Sequence, residues 1–276
     1  MTIHYDMPEG EYHVPGWHGI HALMDYAKHG PAYFHAHHIT GERERESNVV
    51  FTMGSACHAA VLEGLPAYEE RYAVGGPINE KTGKPYGSDT KAYAAWLAEI
   101  GKPAISEVEG CIVRGMVGAI SKNSAATDLL GSGSPEVTFR QQHGALFMQC
   151  RVDWLAGTGT EPWDWTALVD YKTVSDLSTF DRDVFRYGYD QQAAHYQWMV
   201  EEEAGVVLPW AWIIQEKKWP YASRVVWCPP EILAHARDEN MRLRDDIEKA
   251  LELDIWPINT VESYSLAVPH WIGGGE

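Results

Sequence analysis

The chain has 276 residues, 45% of them hydrophobic and 22% charged, which is the composition of a globular protein able to bury one large core. Its formal net charge of −17 argues against diffuse electrostatic binding to nucleic acid, and so against a simple DNA coat protein. This charge does not exclude an enzyme with a local basic path for a nucleic acid, because catalytic carboxylates contribute to the negative count.

The amino-terminal residues and the cysteines favour a cytosolic protein. Residues 1–6 lack the basic-then-apolar pattern of a secretory signal, and no apolar run approaches the roughly 18 residues that span a membrane. The four cysteines are scattered without a C-x-x-C pair. We therefore expect no membrane association and no zinc or iron–sulfur site, with Cys57 and Cys150 as buried free thiols.

Apolar residues at helical spacing predict several helices in the amino-terminal half. These helices are expected over residues 16–29, 47–64, 88–101 and 105–130. Ser47 is the expected N-cap of the second helix. Residues 65–90 are rich in Gly, Pro and Lys and predict a flexible loop. Within it Lys81 and Lys84 could reach a phosphate backbone, although solvation is the simpler interpretation.

Two histidine patterns in this half have a metal-binding interpretation and a simpler one. Three of residues 35–38 are histidine, but a charge-rich stretch follows them, and a solvated surface cluster explains them more simply. His58 lies within the second predicted helix, where a lone histidine is more often a hydrogen-bonded core residue than a ligand.

From residue 135 onward the apolar residues alternate with a period of two, which predicts β-strands. Strands are expected over residues 136–141, 146–154 and 168–173. Turns at residues 143–144 and 157–162 favour antiparallel pairing. In the second strand, alternation places Arg151 and Asp153 on one face and Val152 and Trp154 on the other.

Pairing the second and third strands can bring Asp153, Asp170 and Lys172 to one place. Two carboxylates and an ammonium group suit Mg²⁺ beside a phosphate, because Mg²⁺ prefers carboxylate, water and phosphate oxygens. An Asp-x-Lys tripeptide is weak evidence by itself, since such pairs are common on solvated strand faces. Glu136 could join the site, although a glutamate at the end of a strand is usually solvated.

The remaining third of the chain predicts further helices and strands. A helix is expected over residues 180–204, strands over 210–214 and 224–227, a helix over 231–253 and an extended tail over 256–271. One face of the first of these helices carries Tyr189, Gln192, Ala193 and Tyr196. We expect one domain over residues 1–276, with a helical part (1–130), a sheet core that contains helix 180–204 (135–228), and a carboxy-terminal helix and tail (229–276).

The order of these segments resembles the PD-(D/E)xK nuclease superfamily, and specifically the RecE-like exonucleases of phages and prophages. Five local motifs carry the resemblance: Gly54 to Glu63 around His58, Glu136 at the start of the first core strand, Arg151-Val152-Asp153, Asp170-Tyr171-Lys172-Thr173, and Tyr189 to Tyr196. Leu266, Pro269 and Trp271 also resemble the family's ending. Asp170 stands where many members have Glu, a change that the superfamily name allows.

The resemblance implies an α/β fold, with a mixed central β-sheet flanked by helices, a restriction-endonuclease-like core and the metal site at one edge of the sheet. It implies Mg²⁺, or Mn²⁺ in its place, as the cofactor. The implied ligands are His58, Asp153, Asp170 and the backbone carbonyl of Tyr171, with Glu136 for a second metal. Lys172 is the implied catalytic lysine, with Gln192 and Tyr196 as catalytic-site residues. Candidate DNA contacts are Arg151, Tyr189, Lys81 and Lys84.

The resemblance also implies a function: hydrolysis of DNA phosphodiester bonds, 5′→3′ from double-stranded ends. Such enzymes supply single strands to an annealing protein in recombination, often as homo-oligomeric rings in a bacterial or phage context. A basic lumen in a ring would reconcile DNA binding with an acidic exterior. Two alternatives are a non-catalytic DNA-end-binding scaffold and a PD-(D/E)xK endonuclease.

Overall fold

The computed structural model describes residues 2–5, 7–42 and 52–258. The α-helices in these ranges are α1 (Glu9–Tyr12), α2 (Ile20–His29), α3 (Pro31–Phe34), α4 (Thr52–His58), α5 (Leu65–Arg71), α6 (Lys91–Ile100), α7 (Glu107–Ile120), α8 (Ser124–Leu130), α9 (Phe180–Arg186), α10 (Tyr189–Ala204) and α11 (Pro230–Leu253). The strands are β1 (Thr2–His4), β2 (Ala73–Val74), β3 (Ile78–Asn79), β4 (Lys84–Pro85), β5 (Ala104–Ile105), β6 (Gly133–His143), β7 (Leu146–Gly157), β8 (Trp165–Val174), β9 (Trp210–Glu216) and β10 (Ser223–Trp227).

A six-stranded mixed sheet forms the centre of the molecule, in the order β1-β6-β7-β8-β9-β10. Its neighbouring strands pair antiparallel except β8 and β9, which run parallel. A parallel pair needs a long crossover connection, and α9 and α10 supply it here. The predicted α/β fold with a mixed central sheet flanked by helices is confirmed.

Each face of the sheet is covered by its own helical layer. One apolar cluster joins the sheet to α2, α9, α10 and α11, and it includes Leu23, Phe180, Met199 and Ile247. The other cluster joins the opposite face to α4, α5, α7 and α8, and it includes Cys57, Tyr68, Met116 and Ala126. One layer combines α2 from the amino-terminal part with the three helices that follow β8 and β10, and the other comes from residues 52–130, so the sheet core between residues 133 and 227 is enclosed from both sides.

The alternation of β7 reverses at Asp153. Val152 and Leu155 lie in the cluster under α10, whereas Trp154 lies in the cluster under α4 and α7. The prediction that Val152 and Trp154 share a face is therefore wrong. The cause lies on the neighbouring strand: Glu136 has a left-handed backbone (φ 53°), and the β6–β7 pairing on either side of it skips Glu136 and Asp153. A local distortion of this kind re-aims side chains out of the regular pleat.

Capping side chains explain where several helices begin. Ser106 forms a capping box with Glu109 at the start of α7, and Thr90 caps α6 through its hydroxyl. Asn123 accepts a hydrogen bond from the backbone of Ala126, which starts α8 and separates it from α7. The helical stretch predicted over residues 105–130 is therefore divided into these two helices.

The structure corrects several other predictions. The helix expected over residues 180–204 is broken at Gly188, whose φ of 69° lies in the left-handed region that ends one helix and redirects the next. Residues 65–90 are not all loop, since they contain α5 and the β3–β4 hairpin. The histidines of residues 35–38 lie on a π-helical turn among half-buried rings, and Nε2 of His38 donates to Oδ2 of Asp25 at 2.9 Å.

Some predictions concern residues outside the described ranges. The Ser47 cap and the carboxy-terminal residues Leu266, Pro269 and Trp271 are among them. In the part of the tail that is described, Trp256 stacks on Phe34. Among the described residues, none of the helices has the length and apolarity to cross a bilayer.

Candidate metal and active site

Four elements bring the acidic residues and the histidine of the sequence motifs together. His58 is the last residue of α4, and Glu136, Asp153 and Asp170 come from β6, β7 and β8. Since β7 and β8 are the two middle strands of the six, the expectation of a site at one edge of the sheet is wrong. The chain widens into a π-helical turn (Ala59–Glu63) directly after His58. π-Helical turns are rare in proteins, and those that occur are often found at functional sites.

His58, Glu136 and Asp153 form a compact group of possible metal ligands. One ligand atom of each lies within 4.8 Å of those of the other two, the arrangement expected of residues that share one ion. The Nδ1 atom of His58 is 3.5 Å from Oδ2 of Asp153. The left-handed backbone of Glu136 and the reversal at Asp153 thus meet at the same point, which explains why the irregular pair is tolerated in the middle of a sheet.

The side chain of Asp153 also interrupts the regular hydrogen bonding between β7 and β8. The regular β7–β8 register ends at the pair Trp154 and Val169, and beyond it the backbone N–H of Tyr171 donates to Oδ2 of Asp153 at 2.9 Å. A side chain therefore replaces the next ladder hydrogen bond. The ring of Tyr171 packs edge-on to His58 with 5.1 Å between centroids, and its backbone lies within hydrogen-bonding reach of that histidine.

Asp170 and Lys172 form a buried ion pair beside this group. The Nζ atom of Lys172 donates to Oδ1 of Asp170 at 2.8 Å, and Asp170 is only 1% exposed. The second oxygen, Oδ2, is buried without a hydrogen-bond partner among the described residues. A buried carboxylate oxygen without a partner is costly, so this atom is a candidate to bind a ligand.

The pKa values reflect crowding of negative charge. Burial, and then repulsion from Asp153, raises the pKa of Glu136 to about 8. The pKa of Asp170 is raised as well, first by burial and then by Asp153, although Lys172 opposes the change. Burial would lower the pKa of Lys172, but attraction to Asp170 and Asp153 outweighs it and the pKa is raised. Lys172 therefore stays protonated. Its single positive charge is too little to offset the repulsion among the buried carboxylates, so the pKa values of Glu136 and Asp170 stay raised.

The α10 helix places three predicted site residues at different distances from this centre. Tyr189 lies beside Lys172, with 5.0 Å from Nζ to the ring centroid. The hydroxyl of Tyr196 is hydrogen-bonded to Gln192 and lies within electrostatic reach of Asp153. Burial raises the pKa of Tyr196 well above its usual value, so it stays a neutral hydroxyl.

Arg151, predicted as a DNA contact, is occupied by the amino-terminal segment. Its guanidinium donates to Oε2 of Glu9 at 2.6 Å and to the carbonyl of Met7 at 3.0 Å, and it lies 4.1 Å from the centroid of the Tyr12 ring. Residues 7–12 had no predicted role in the site. No motif signals this contact, because it joins residues about 140 positions apart. The hydrogen bonds brace the strand that carries Asp153.

Two more features frame the site. Glu63, at the end of the π-helical turn, binds Arg71 through both carboxylate oxygens and lies within electrostatic reach of Glu136. It ends the motif around His58, but the sequence predicted no role for it. Lys81 and Lys84 lie on the β3–β4 hairpin, which is a separate two-stranded sheet. The structure therefore groups His58, Glu136 and Asp153, pairs Asp170 with Lys172 beside them, and leaves Lys81 and Lys84 on a different element.

The residues present fit a divalent cation. Their donor atoms are hard carboxylate oxygens and one imidazole nitrogen, the types that such ions bind in proteins. The three grouped ligand atoms suit one ion, and Oδ2 of Asp170, which is not part of that group, is a further carboxylate oxygen without a hydrogen-bond partner among the described residues. A cation there would also relieve the repulsion that raises the carboxyl pKa values.

Comparisons with known proteins agree with this geometry. A family model described as a PDDEXK-like domain of unknown function (DUF3799) matches residues 23–264. No curated protein matches the chain. The chain is similar to the crystal structure of a "Putative exonuclease" from Eubacterium rectale, with a TM-score of 0.63 and 14% sequence identity over 98% of this chain and 99% of that one. The predicted resemblance to the PD-(D/E)xK superfamily is confirmed.

Proposed function

The chain belongs to the DUF3799 family of PDDEXK-like domains, and on that basis we propose that it is a metal-dependent nuclease that hydrolyses DNA phosphodiester bonds. The observation that carries the proposal is the convergence of His58, Glu136 and Asp153 within 4.8 Å, next to the buried pair of Asp170 and Lys172. A metal-ligand group alone would suit many functions. A cationic lysine fixed beside it suits attack on a phosphate.

His58, Glu136, Asp153 and Asp170 would hold the cation, together with the backbone carbonyl of Tyr171. We propose Mg²⁺ as the ion, with Mn²⁺ able to substitute, because oxygen ligands dominate the set. When bound, a divalent cation supplies Lewis acidity that stabilises charge on a phosphate and lowers the pKa of water.

The protein's own side chains would position a positive charge and a neutral hydroxyl beside the bound phosphate. Lys172 keeps its proton, and its ammonium group would face the negative charge that grows on the phosphate during cleavage. Asp170 fixes the position of that group through Oδ1. The ring of Tyr189 lies 5.0 Å from Nζ of Lys172 and adds a favourable cation–π contact to the ammonium group. The half-buried Gln192–Tyr196 pair adds a neutral hydroxyl near Asp153.

We further propose that the enzyme is an exonuclease acting 5′→3′ on double-stranded ends in recombination. The resemblance to the RecE-like exonucleases supports this finer proposal, and the likeness to the Eubacterium rectale protein, described as a "Putative exonuclease", supports its exonuclease part. A homo-oligomeric ring and a single-strand annealing partner are part of the same proposal. In such a ring, basic residues that line the central channel would hold the DNA, although the protein as a whole is acidic.

A cleavage assay with two substrates tests the proposal. Linear duplex DNA with a 5′ or a 3′ label and closed circular DNA are incubated with Mg²⁺, Mn²⁺ or EDTA. We expect loss of linear DNA only, early release of the 5′ label, and no reaction in EDTA. Cutting of circles would indicate an endonuclease, and binding without cleavage would indicate a DNA-end scaffold.

A further inference from the structure

The turn between β9 and β10 (residues 217–222) extends from the end of the sheet where the catalytic lysine lies. β9 runs parallel to β8, with Lys172 opposite Ile214 and Val174 opposite Glu216. The backbone N–H of Lys217 donates to the carbonyl of Val174 at 3.3 Å. The turn therefore begins beside the strand that leaves the candidate active site, two residues beyond Lys172.

The first three residues of this turn are two lysines and a tryptophan, and all three are exposed. Trp219 is 79% exposed, so it contributes little to the core. Lys217 and Lys218 precede it and are exposed, and neither forms an ion pair with a described residue. Two adjacent lysines without an ion pair, beside an exposed indole, form a local cationic and aromatic site on a chain whose net charge is −17.

The base of the turn is rigid. Gln215, which is fully buried, accepts a hydrogen bond from the hydroxyl of Tyr171 at 2.7 Å and donates to the carbonyls of Tyr221 and Met116 at 3.0 and 2.9 Å. The ring of Tyr221 lies against α7 at Gly115, where any side chain would meet it within 2.5 Å. Hydrogen bonds thus connect the side chain of Tyr171 to the base of the turn that carries Trp219.

A second exposed tryptophan, Trp163, has different surroundings from those of Trp219. Trp163 is also 79% exposed, but it lies just before β8, at the opposite end of that strand from Lys172. Its neighbours Glu161 and Asp164 are acidic. An exposed indole is therefore not enough to indicate a polyanion site, whereas an exposed indole with two lysines at the catalytic end fits one.

We propose that Lys217, Lys218 and Trp219 form a contact site for a single strand of nucleic acid, beyond the end of β8 near which Lys172 lies. The indole stacks on one base, which suits any sequence because every base has a flat face. The two ammonium groups pair with flanking phosphates. The substrate class rests on the proposed nuclease function. The proposal adds that the enzyme holds an unpaired strand next to Lys172.

The test measures binding in protein that carries Lys172→Met, so that cleavage does not consume the DNA. A fluorescein-labelled single-stranded 12-mer is titrated in Mg²⁺, and a second 12-mer with one 2-aminopurine reports stacking by quenching. Trp219→Ala should weaken binding on the order of tenfold and remove the quenching, while Trp219→Phe keeps most of both. Trp163→Ala is the matched control and should change neither.

The lysines are tested by salt dependence in the same protein. Lys217→Gln with Lys218→Gln should reduce the slope of log affinity against log salt concentration by about 1.4, the value for two single-strand phosphate contacts. Melting temperatures near that of the parent would show that the exposed substitutions leave the fold intact.

The outcomes separate this proposal from the proposed function. Equal affinity of the Trp219→Ala and Trp163→Ala proteins, or no measurable binding of the parent to the 12-mers, overturns the contact site. Cleavage by the unaltered enzyme in Mg²⁺ is measured separately. Loss of binding in Trp219→Ala alone supports the contact site even if the unaltered enzyme fails to cleave DNA, in which case the proposed function alone is wrong.

Discussion

The charge of Lys172 depends on its neighbours, because a lysine buried alone would lose its proton. It lies 2.8 Å from Asp170, and attraction to Asp170 and Asp153 offsets the cost of burial. Removal of the lysine should therefore affect the reaction more than the binding of a cation, since a nearby positive charge repels the ion.

Lys172→Met should reduce DNA cleavage by at least about a hundredfold, the usual effect of removing one group that stabilises developing charge. Affinity for Mn²⁺, measured by calorimetry, should change little. Lys91→Met on the exposed surface of α6 serves as the control and should keep full activity. A variant that cleaves normally, or whose main defect is weak metal binding, would show that the role given to Lys172 is wrong.

His195 is a second buried group whose protonation matters, here for stability. It is 1% exposed on α10, its Nε2 lies 3.3 Å from the carbonyl of Gln149, and its Nδ1 has no partner among the described residues. Burial, and then the charge of Arg244, lowers its pKa to about 3. The folded protein thus binds this proton far less readily than the unfolded chain does.

The stabilising effect of neutral His195 should be complete above about pH 6.5 and be lost as the pH falls toward 3, because only the unfolded chain gains the proton in that range. At pH 5 the loss amounts to about 2 kcal/mol. His195→Gln should therefore flatten the fall in unfolding free energy between pH 7.5 and 5, measured with urea. His13→Gln on the exposed surface should leave the slope unchanged, and an equal slope in both variants would contradict the assignment.

At the scale of single elements, the break between α9 and α10 sets the direction of the helix that carries Tyr189. Gly188 is left-handed (φ 69°), and a methyl group added there would meet the end of the Met24 side chain at 2.4 Å. Both the backbone and the packing therefore favour glycine at this position. By contrast, Gly118 lies within α7 with open space around it.

Gly188→Ala should lower the free energy of unfolding by about 1–2 kcal/mol, the cost of a left-handed alanine. Gly118→Ala should raise it by up to about 1 kcal/mol, because alanine is the better helix former. Urea unfolding of both variants measures the two changes. If Gly188→Ala were as stable as the parent, the break would not depend on glycine.

The elements show how far the sequence predicts the fold. Strands β6, β7 and β8 follow from alternation, and α11 from helical spacing, since these patterns are long. The break at Gly188 could not be predicted, because a glycine inside a helical pattern is often tolerated. The reversal at Asp153 could not be predicted either, because it arises from the backbone of Glu136 on another strand.

At the scale of the whole molecule, the two helical layers enclose the sheet and bury most of the thiols. Cys57, Cys150 and Cys228 are buried, whereas Cys111 is exposed on α7. Burial raises the pKa of Cys57 to about 11 and that of Cys228 to about 12, which further lowers their reactivity.

One thiol should therefore react rapidly with a disulfide reagent such as DTNB in the folded protein, and four after unfolding in guanidinium. The colour released at 412 nm counts them. Cys111→Ser should abolish the fast phase and leave three thiols in denaturant. Two or more fast thiols in the folded protein would mean that the layers open more easily than the packing indicates.

The site as a whole was predicted in its residue types but not in its arrangement. Motif resemblance selected His58, Asp153, Asp170 and Lys172, whereas the compact ligand group in the structure consists of His58, Glu136 and Asp153, and Asp170 pairs with Lys172 beside it. Resemblance could not show that Arg151 is occupied by Glu9. It also could not show the connection from Tyr171 through Gln215, since buried polar contacts between distant segments leave no local pattern.

The reversal at Asp153 has a consequence for how this protein can change over evolutionary time. Alternate residues change sides at Asp153, with Cys150 and Val152 in one interior and Trp154 and Ala156 in the other, so deleting one residue of β7 would turn core side chains to the wrong face as well as move a carboxylate. Lineages descended from such a deletion would lose folding and chemistry in a single step. The length of this strand should therefore be inherited almost unchanged, while the loops at either end are free to vary.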